Sequence, residues 1–512
     1  MTLIDFDPDD FPIVVAIDFG TTFSGCAYAF APDDREARII TGWPKQNIQY
    51  AKTPTLNLYQ KLNGEFRMAE WGWKSKLAMQ SPTASKYVQL HQYKPYLDES
   101  VALTPWKSEN GVSVLMAISD YLGALHEYVA DKILQEFGPS YSRKSFRYCL
   151  TVPAMWSDKS KDVMRKAAIK AKIITETDHP DRLMLVSEPE AAALYCERQC
   201  RQYDLGHGDR FMICDAGGGT VDLIVYEIAV SSQGRSLSEV THGHGASCGS
   251  MFIDMNFGDL LIEEFGKQSA KVPTSIISDL VEKFAYELKP HFDGVEDQHL
   301  ALPLNDCFEE LENLGAIGID GGYMCLKASE LKSRVFEPVV KKVLALIQEQ
   351  LDGAKNVSAI FMVGGFGAST YLLNRVKQEF SSKVRTISAP YKPEAAVVCG
   401  AVYAGLNPKV ITARITRRCY GIGMEDYFNE NIDTIELKIF RKHGITCTDR
   451  FKPFVRKAQK DQVCTYYSVP IYAINGDPPR HTTAAGMSKL ATILIPNPFK
   501  SSDPIGRSVG VV

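Results

Sequence analysis

Two short runs of this sequence carry the residue types needed to handle phosphate: IDFGTTFS at 17–24 and DAGGGTVD at 215–222. Each has an Asp closing an apolar run, then a turn of Gly and Thr, then a second apolar run. Glycines in such a turn remove the side chains that hold a ligand away, and consecutive backbone N–H groups can converge on an anion. A carboxylate beside a phosphate site suits hydrated Mg²⁺, which keeps several waters and uses few protein ligands. The pair reads as two facing hairpins that grip the phosphates of one nucleotide, with Asp18 and Asp215 holding Mg²⁺ through water. For either run alone, a tight hairpin without a ligand is the competing reading. A third glycine turn, MVGGFGAST at 362–370, follows an apolar strand and opens a helix, which places it toward the nucleoside end. No GxxxxGK[ST] pattern occurs, so a P-loop is not the solution used.

Those turns need strands to hold them. Residues 13–30 and 210–228 share one plan of strand, Asp, small turn and strand, which points to a duplicated domain. Between the copies, apolar residues from Val114 to Leu134 recur at helical spacing until Gly138-Pro139. Phe146–Val152 reads as a buried strand, and Ser157 as the N-cap of the helix after it. Residues 252–265 and 276–288 look helical, and a long helix is expected from a Ser329 cap with a kink at Pro338. This alternation of helix and strand indicates an α/β architecture with covered sheets. Beyond about Leu406 the runs DTIELKIF, VCTYYSVPIY and LATILIP are β-rich, and the tail from Asn497 reads as loose. The expected domains are residues 1–407, in lobes of about 13–205 and 206–407, and a small β-rich domain at 408–512.

With 45% hydrophobic and 23% charged residues the chain reads as a globular protein with sizeable cores. Its 57 Lys and Arg against 61 Asp and Glu give no overall field for nucleic acid. The N-terminus is acidic and no long apolar span occurs, so membrane insertion is not expected and the cytoplasm is the expected location, with the nucleus also open. The 12 Cys are scattered without a CxxC pair, as suits reduced, packed thiols. His242, His244 and Cys248 lie close in sequence, but no fourth ligand has metal-site spacing, so a structural turn is the better reading.

Taken in order, IDFGTTFS, TVPAMWSDKSKDVMRKAA, SEPEAAALY, DAGGGTVD, MVGGFGAST and KPEAAVVCGAVYAG resemble the heat-shock-70 (DnaK-type) family of the actin-like ATPase superfamily, across about Ile13 to Leu406. The form GGFGAS with a degenerate C-terminal part resembles the family's divergent, twelfth-type branch. The resemblance implies an actin-like, ribonuclease-H-like duplicated ATPase domain with a central cleft, ATP or ADP with Mg²⁺ as cofactors, and slow ATP hydrolysis. It implies nucleotide contacts from Gly20, Thr21, Thr22, Gly217, Gly218, Gly219, Thr220, Gly249, Lys289, Gly364, Gly365, Phe366 and Glu394, and metal contacts from Asp18 and Asp215. It also implies catalytic roles for Lys74, Glu188, Asp215 and Thr220, with loss of Lys74 expected to cost roughly 100-fold or more in turnover. Lys76 is the rival for the lysine role.

The sequence departs from the family in two places. Phe366 and Ala368 stand where the family has Ser and Arg, and Pro290 follows Lys289 where a second arginine would face the base. Both adenine-stacking guanidiniums are therefore absent, and base specificity is open. The chain after Leu406 lacks the family's linker and lid pattern. The readings are a nucleotide-switched, chaperone-like ATPase acting on an unidentified protein partner, a nucleotide-sensing adaptor with little turnover, or a sugar or acid kinase of the same superfamily. A monomer is the default expectation.

Overall fold

The computed structural model describes residues 10–32, 36–97, 106, 111–232, 234–303, 305–308, 311–312, 314–408, 410–415, 419–442, 444–455, 469–474 and 487–493. The chain divides into two compact units, Met1–Ile411 and Thr412–Val512. It is a mixed α/β protein with several sheets.

In the first unit, one sheet is built on β1 (Ile13–Asp18), β2 (Phe23–Phe30), β3 (Lys52–Pro54), β4 (Phe146–Val152) and β5 (Leu183–Ser187). β1 pairs antiparallel with β2 and parallel with β4, β4 pairs parallel with β5, and β3 lies antiparallel to the start of β2. The second sheet is built on β6 (Arg210–Ala216), β7 (Val221–Ser231), β8 (Gly234–Glu239), β9 (Val357–Val363) and β10 (Thr386–Ser388). β6 pairs antiparallel with β7 and parallel with β9, and β9 pairs parallel with β10. The central strands of the two sheets therefore run β2-β1-β4-β5 and β7-β6-β9-β10 with the same polarities.

Local sequence explains these elements. All seven residues of β4 are buried, as befits a parallel strand covered on both faces. Helix α1 (Val114–Phe137) starts where the Ser113 hydroxyl accepts from the Met116 amide at 3.1 Å and stops at Gly138, whose φ of 76° no helical residue shares. Its buried stripe of Ile118, Tyr121, Leu122, Leu125 and Val129 follows the helical period. Ser157 caps α2 (Asp158–Lys170) through the Ser160 amide at 3.2 Å. Helix α3 (Glu188–Gln199) leaves the end of β5 and so carries Glu188 to the strand ends. In the second half, α4 (Met251–Phe265), α5 (Glu337–Ala354) and α6 (Thr370–Phe380) pack around the second sheet, whereas α7 (Ala396–Leu406) packs on β1, β2 and β4 of the first. α7 packs on α3, and side chains of both helices join residues of both sheets in one core that includes Val14, Ala16, Phe211, Ile213, Phe361 and Val402.

The long helix expected from Ser329 differs in detail. Its N-cap is Lys327, a short turn spans Ala328–Glu330, and a wider π-type segment fills Leu331–Phe336 before α5 begins. Pro338 stands in the first turn of α5, which continues directly from the π-type segment, and its missing N–H leaves the preceding turn without one helical bond, so the irregularity falls just before the proline. The helix expected over 276–288 likewise passes from α-helix at Thr274–Lys283 into a π-type segment at Phe284–Leu288.

The second unit holds a five-stranded antiparallel sheet that includes Cys419–Tyr427 and Gly444–Val455, two strands absent from the sequence reading. Of DTIELKIF, only its last three residues enter it, in the strand Lys438–Arg441 after a short 3-10 turn. The tail from Asn497 lies outside the described residues. Among the described residues no helix is long and apolar enough to cross a membrane. Cys26, Cys149, Cys214 and Cys399 are buried free thiols.

Candidate functional site

The β1–β2 and β6–β7 turns meet face to face. A Cβ on Gly219 would stand 2.6 Å from the Thr21 hydroxyl, and one on Gly218 would strike Thr22. Glycine is required here because the two turns touch. Thr55 braces the first turn: its amide donates to Thr22 O at 2.9 Å and its hydroxyl to Gly20 O at 2.9 Å. The second turn is braced by the segment leading into α4, where the amides of Gly249, Ser250 and Met251 donate to Gly219, Gly217 and Gly218 carbonyls at 3.1, 3.0 and 2.8 Å. Among the described residues the amides of Thr21, Thr22, Gly218 and Gly219 donate no hydrogen bond. A cavity of about 290 Å³ opens beside the turns, lined by Thr21, Lys94, Trp156, Gly219, Thr220 and Met251 among others.

Buried charge gathers at the strand ends. Asp18 accepts from Lys52 Nζ at 2.7 Å and from the Thr151 hydroxyl at 2.8 Å. Burial alone would raise its carboxyl, but Lys52, Lys94 and the Thr151 hydrogen bond outweigh that and hold it below the ordinary carboxylate range. Glu188, at the start of α3, accepts from Lys94 Nζ at 2.6 Å, with both side chains almost wholly buried. Burial pushes Glu188 up to about 7 against the pull of Lys94, and the Asp18 and Asp222 carboxylates add to the push. The Lys94 ammonium also lies 5.8 Å from the Phe19 ring centre and 5.6 Å from that of Trp156. Asp215 has no hydrogen-bond partner among the described residues, and burial together with Glu188, Asp222 and Asp18 holds its carboxyl well above the ordinary range.

The third glycine turn lies against this cluster. Gly364 has φ 82°, and a Cβ there would sit 2.5 Å from Ala216 O and 2.6 Å from Asp215 Oδ1. Gly365 faces open space, and the short turn carrying Glu394, Pro393–Ala395, packs against Gly364–Gly367. Lys289 is committed to Asp254, whose two carboxylate oxygens lie 2.7 and 2.8 Å from its Nζ.

Two residues expected at the site sit apart from the carboxylate cluster. Lys74 sits on the short helix Gly72–Met79 with its ammonium 3.5 Å from Glu70 on the preceding strand, Glu65–Trp71, and it makes no described contact with Asp18, Glu188 or Asp215. The cation that reaches the carboxylates is Lys94, from the turn Lys94–Leu97. Lys76 points elsewhere, pairing with Glu282 at 2.6 Å over the Tyr286 ring. Phe366 is buried in the hydrophobic core rather than lining a base pocket, because its turn directs the ring inward onto the second-half core. Sequence reasoning missed Lys52, Lys94, Thr55 and Thr151. The one available signal was lysine inside otherwise apolar or aromatic text, as in QYAKTPTLNLY and HQYKPYL.

No family model matches the chain. Heat shock 70 kDa protein 12A of Mus musculus is 25% identical, over 89% of this chain and 79% of that one. Heat shock 70 kDa protein 12B of Homo sapiens is 25% identical over 88% and 76%. The chaperone protein DnaK of Anaplasma marginale is 24% identical over 77% and 57%. These similarities support a divergent, twelfth-type member of the heat-shock-70 family. That kinship supports a nucleotide-binding, chaperone-like role and implies ATP or ADP with Mg²⁺ in general terms.

The groups present fit a polyphosphate: two touching turns with uncommitted amides, a cavity beside them, and the buried Lys94 ammonium at its wall. They fit Mg²⁺ less fully. Asp215 is available, whereas Asp18 already serves Lys52 and Thr151, and no cluster of three His, Cys, Asp or Glu arranged for a metal occurs among the described residues. A hydrated ion facing Asp215 suits this set better than a directly ligated one.

Proposed function

We propose that the cleft between two duplicated halves binds ATP and ADP and hydrolyses ATP slowly, and that nucleotide state governs cleft closure and the binding of a protein partner. The observation that carries this reading is the contact of Gly218 and Gly219 with Thr22 and Thr21, directly beyond two buried strand-end aspartates. In this reading residues 1–407 form the nucleotide unit and residues 408–512 a β-rich region for partner contact. The turn amides and threonine hydroxyls hold the phosphates. Asp215, raised by burial first and then by its carboxylate neighbours, hydrogen-bonds the attacking water and orients it. Lys94, rather than Lys74, offers charge to the transferred phosphoryl, and bound Mg²⁺ supplies further charge neutralisation there.

A nucleotide-sensing adaptor with little turnover is favoured by a separate observation. Glu188 is already ion-paired with Lys94 at 2.6 Å, so freeing either group for chemistry carries a cost. Calorimetric titration with ATP, ADP and GTP plus Mg²⁺, followed by single-turnover hydrolysis in wild type and Asp215→Asn, separates the two. Binding with slow turnover that the variant loses is the expected result. Binding without turnover selects the adaptor, and absence of binding overturns both.

A further inference from the structure

Lys52 stands at a place that the nucleotide reading leaves without a role. In the ladder, Asp18 of β1 lies opposite Gly25 of β2, and Gly25 lies opposite Lys52 of β3. Directly opposed residues share one face of a sheet, so Asp18, Gly25 and Lys52 form a row across three strands. The residue between them is the one type without a side chain. A Cβ on Gly25 would meet Lys52 Cγ at 3.2 Å and Ala51 O at 2.9 Å, so the bare backbone at this point lets the lysine stem cross β2 and deliver Nζ to Asp18 Oδ2 at 2.7 Å. The pair is nearly buried, with 13% and 6% of the two side chains exposed. An ammonium group has three N–H donors. One serves Asp18 and no other hydrogen bond of Lys52 is described, while its remaining electrostatic neighbours are Tyr50 and Asp215, so donors stay uncommitted beside the strand-end carboxylates.

We propose that Lys52 is a built-in cation of the phosphate cleft, held by Asp18 across Gly25, and that it does part of the charge neutralisation for which a polyphosphate site otherwise recruits a divalent ion. The ligand class is a nucleoside di- or triphosphate, so the inference rests on the nucleotide reading above. Its particular consequence is that phosphate-tail binding persists when divalent metal is removed. Asp18 then acts as the positioning residue of Lys52 more than as a metal ligand.

The test is calorimetric titration of the full chain with ATP, once in excess EDTA and once in excess Mg²⁺, for wild type, Lys52→Met and Lys52→Arg. Wild type is expected to bind in EDTA within about tenfold of its affinity in Mg²⁺, because the resident ammonium remains. Lys52→Met, similar in length but uncharged, is expected to lose roughly 100-fold in EDTA and to recover most of it in Mg²⁺. Lys52→Arg keeps the charge and should bind in both buffers. A merely structural lysine would lower affinity equally in the two buffers, so an equal loss for Lys52→Met overturns the proposal. Wild-type binding that vanishes in EDTA also overturns it while leaving the nucleotide reading intact. Absence of wild-type binding in both buffers overturns the two together. Thermal unfolding of each variant confirms that it is folded, and if Lys52→Met is not, the EDTA-to-Mg²⁺ ratio of Lys52→Arg and wild type still decides.

Discussion

Asp18 and Asp215 close matching strands of two sheets with the same central order, yet their surroundings differ. Asp18 is satisfied by Lys52 and Thr151 and held below the ordinary carboxylate range, whereas Asp215 has no described partner and is held well above it. Both buried ammonium groups of the cluster, Lys52 and Lys94, come from the first half. One half brings its own countercharge, and the other presents a buried carboxyl whose ionised form is disfavoured by burial and by its acidic neighbours, with only the more distant pull of Lys52 against them. In the proposed reading the difference gives stability to the first aspartate and ligand handling to the second.

The most direct way to break that contrast is to neutralise each aspartate in turn. Asp18→Asn strands the Lys52 ammonium in a buried site and should destabilise the protein by about 4 kcal/mol, as removing one partner of a buried pair does. Asp215→Asn removes a carboxyl that makes no described hydrogen bond and whose ionised form is disfavoured, and it should leave stability within about 1 kcal/mol of wild type, or raise it. Guanidinium denaturation without nucleotide measures both. Equal losses in the two variants would show that the aspartates are equivalent after all.

Acid separates the halves in another way. His126, buried on α1 in the first half, shares a hydrogen bond with the Tyr148 hydroxyl at 2.9 Å, and burial, with Arg143 and Arg182 nearby, lowers it to about 4. The unfolded chain takes up this proton near pH 6.5 and the folded chain only near 4. Stability is therefore intact above about 6.5 and falls as pH drops through that window, by up to about 3 kcal/mol. His126→Gln should flatten this part of the curve in denaturation at pH 7.5, 6 and 5. A slope unchanged by the substitution would mean that another group sets the acid response.

The lysines sharpen the contrast within catalysis. If Lys94 is the cation that the first half lends to the phosphoryl group, Lys94→Met should slow single-turnover hydrolysis roughly 100-fold, while Lys74→Met stays within about twofold. The reverse ranking would restore Lys74, and with it the expectation drawn from the sequence.

Why Lys74 was the natural choice from sequence and Lys94 was not has a physical answer. Strand Phe146–Val152 and the glycine turns were legible because an unbroken apolar run and consecutive glycines each restrict what the chain can do locally. Asp18 and Asp215 were legible because each ends such a run. Lys52 was not, since its placement depends on the pairing of three strands and on a glycine 27 positions earlier, and register is invisible to local pattern. Lys94 was hidden because a lysine in extended polar and aromatic text ordinarily reaches solvent. Phe366 was misplaced for a related reason, in that a turn residue can face a ligand or the core and only the packing of the second-half helices decides.

The smallest effect concerns helix caps, where the halves again differ in how firmly a feature is tied in. Ser157 caps α2 through the Ser160 amide at 3.2 Å, and its hydroxyl also meets the Ser160 hydroxyl at 3.0 Å, which in turn donates to Leu97 O at 2.7 Å. Ser369 caps α6 through the Leu372 amide alone, at 3.4 Å, a long hydrogen bond. Ser157→Ala should therefore cost about 1 kcal/mol, the usual worth of a cap, and Ser369→Ala about half of that. The Ser157 network also reaches back to the end of the Lys94–Leu97 turn, so loosening it should weaken the placement of Lys94. Hydrogen exchange of the Leu97 and Ser160 amides in Ser157→Ala reads this directly. Faster exchange at both couples the cap to the cation, whereas a change at Ser160 alone confines the cap to its helix.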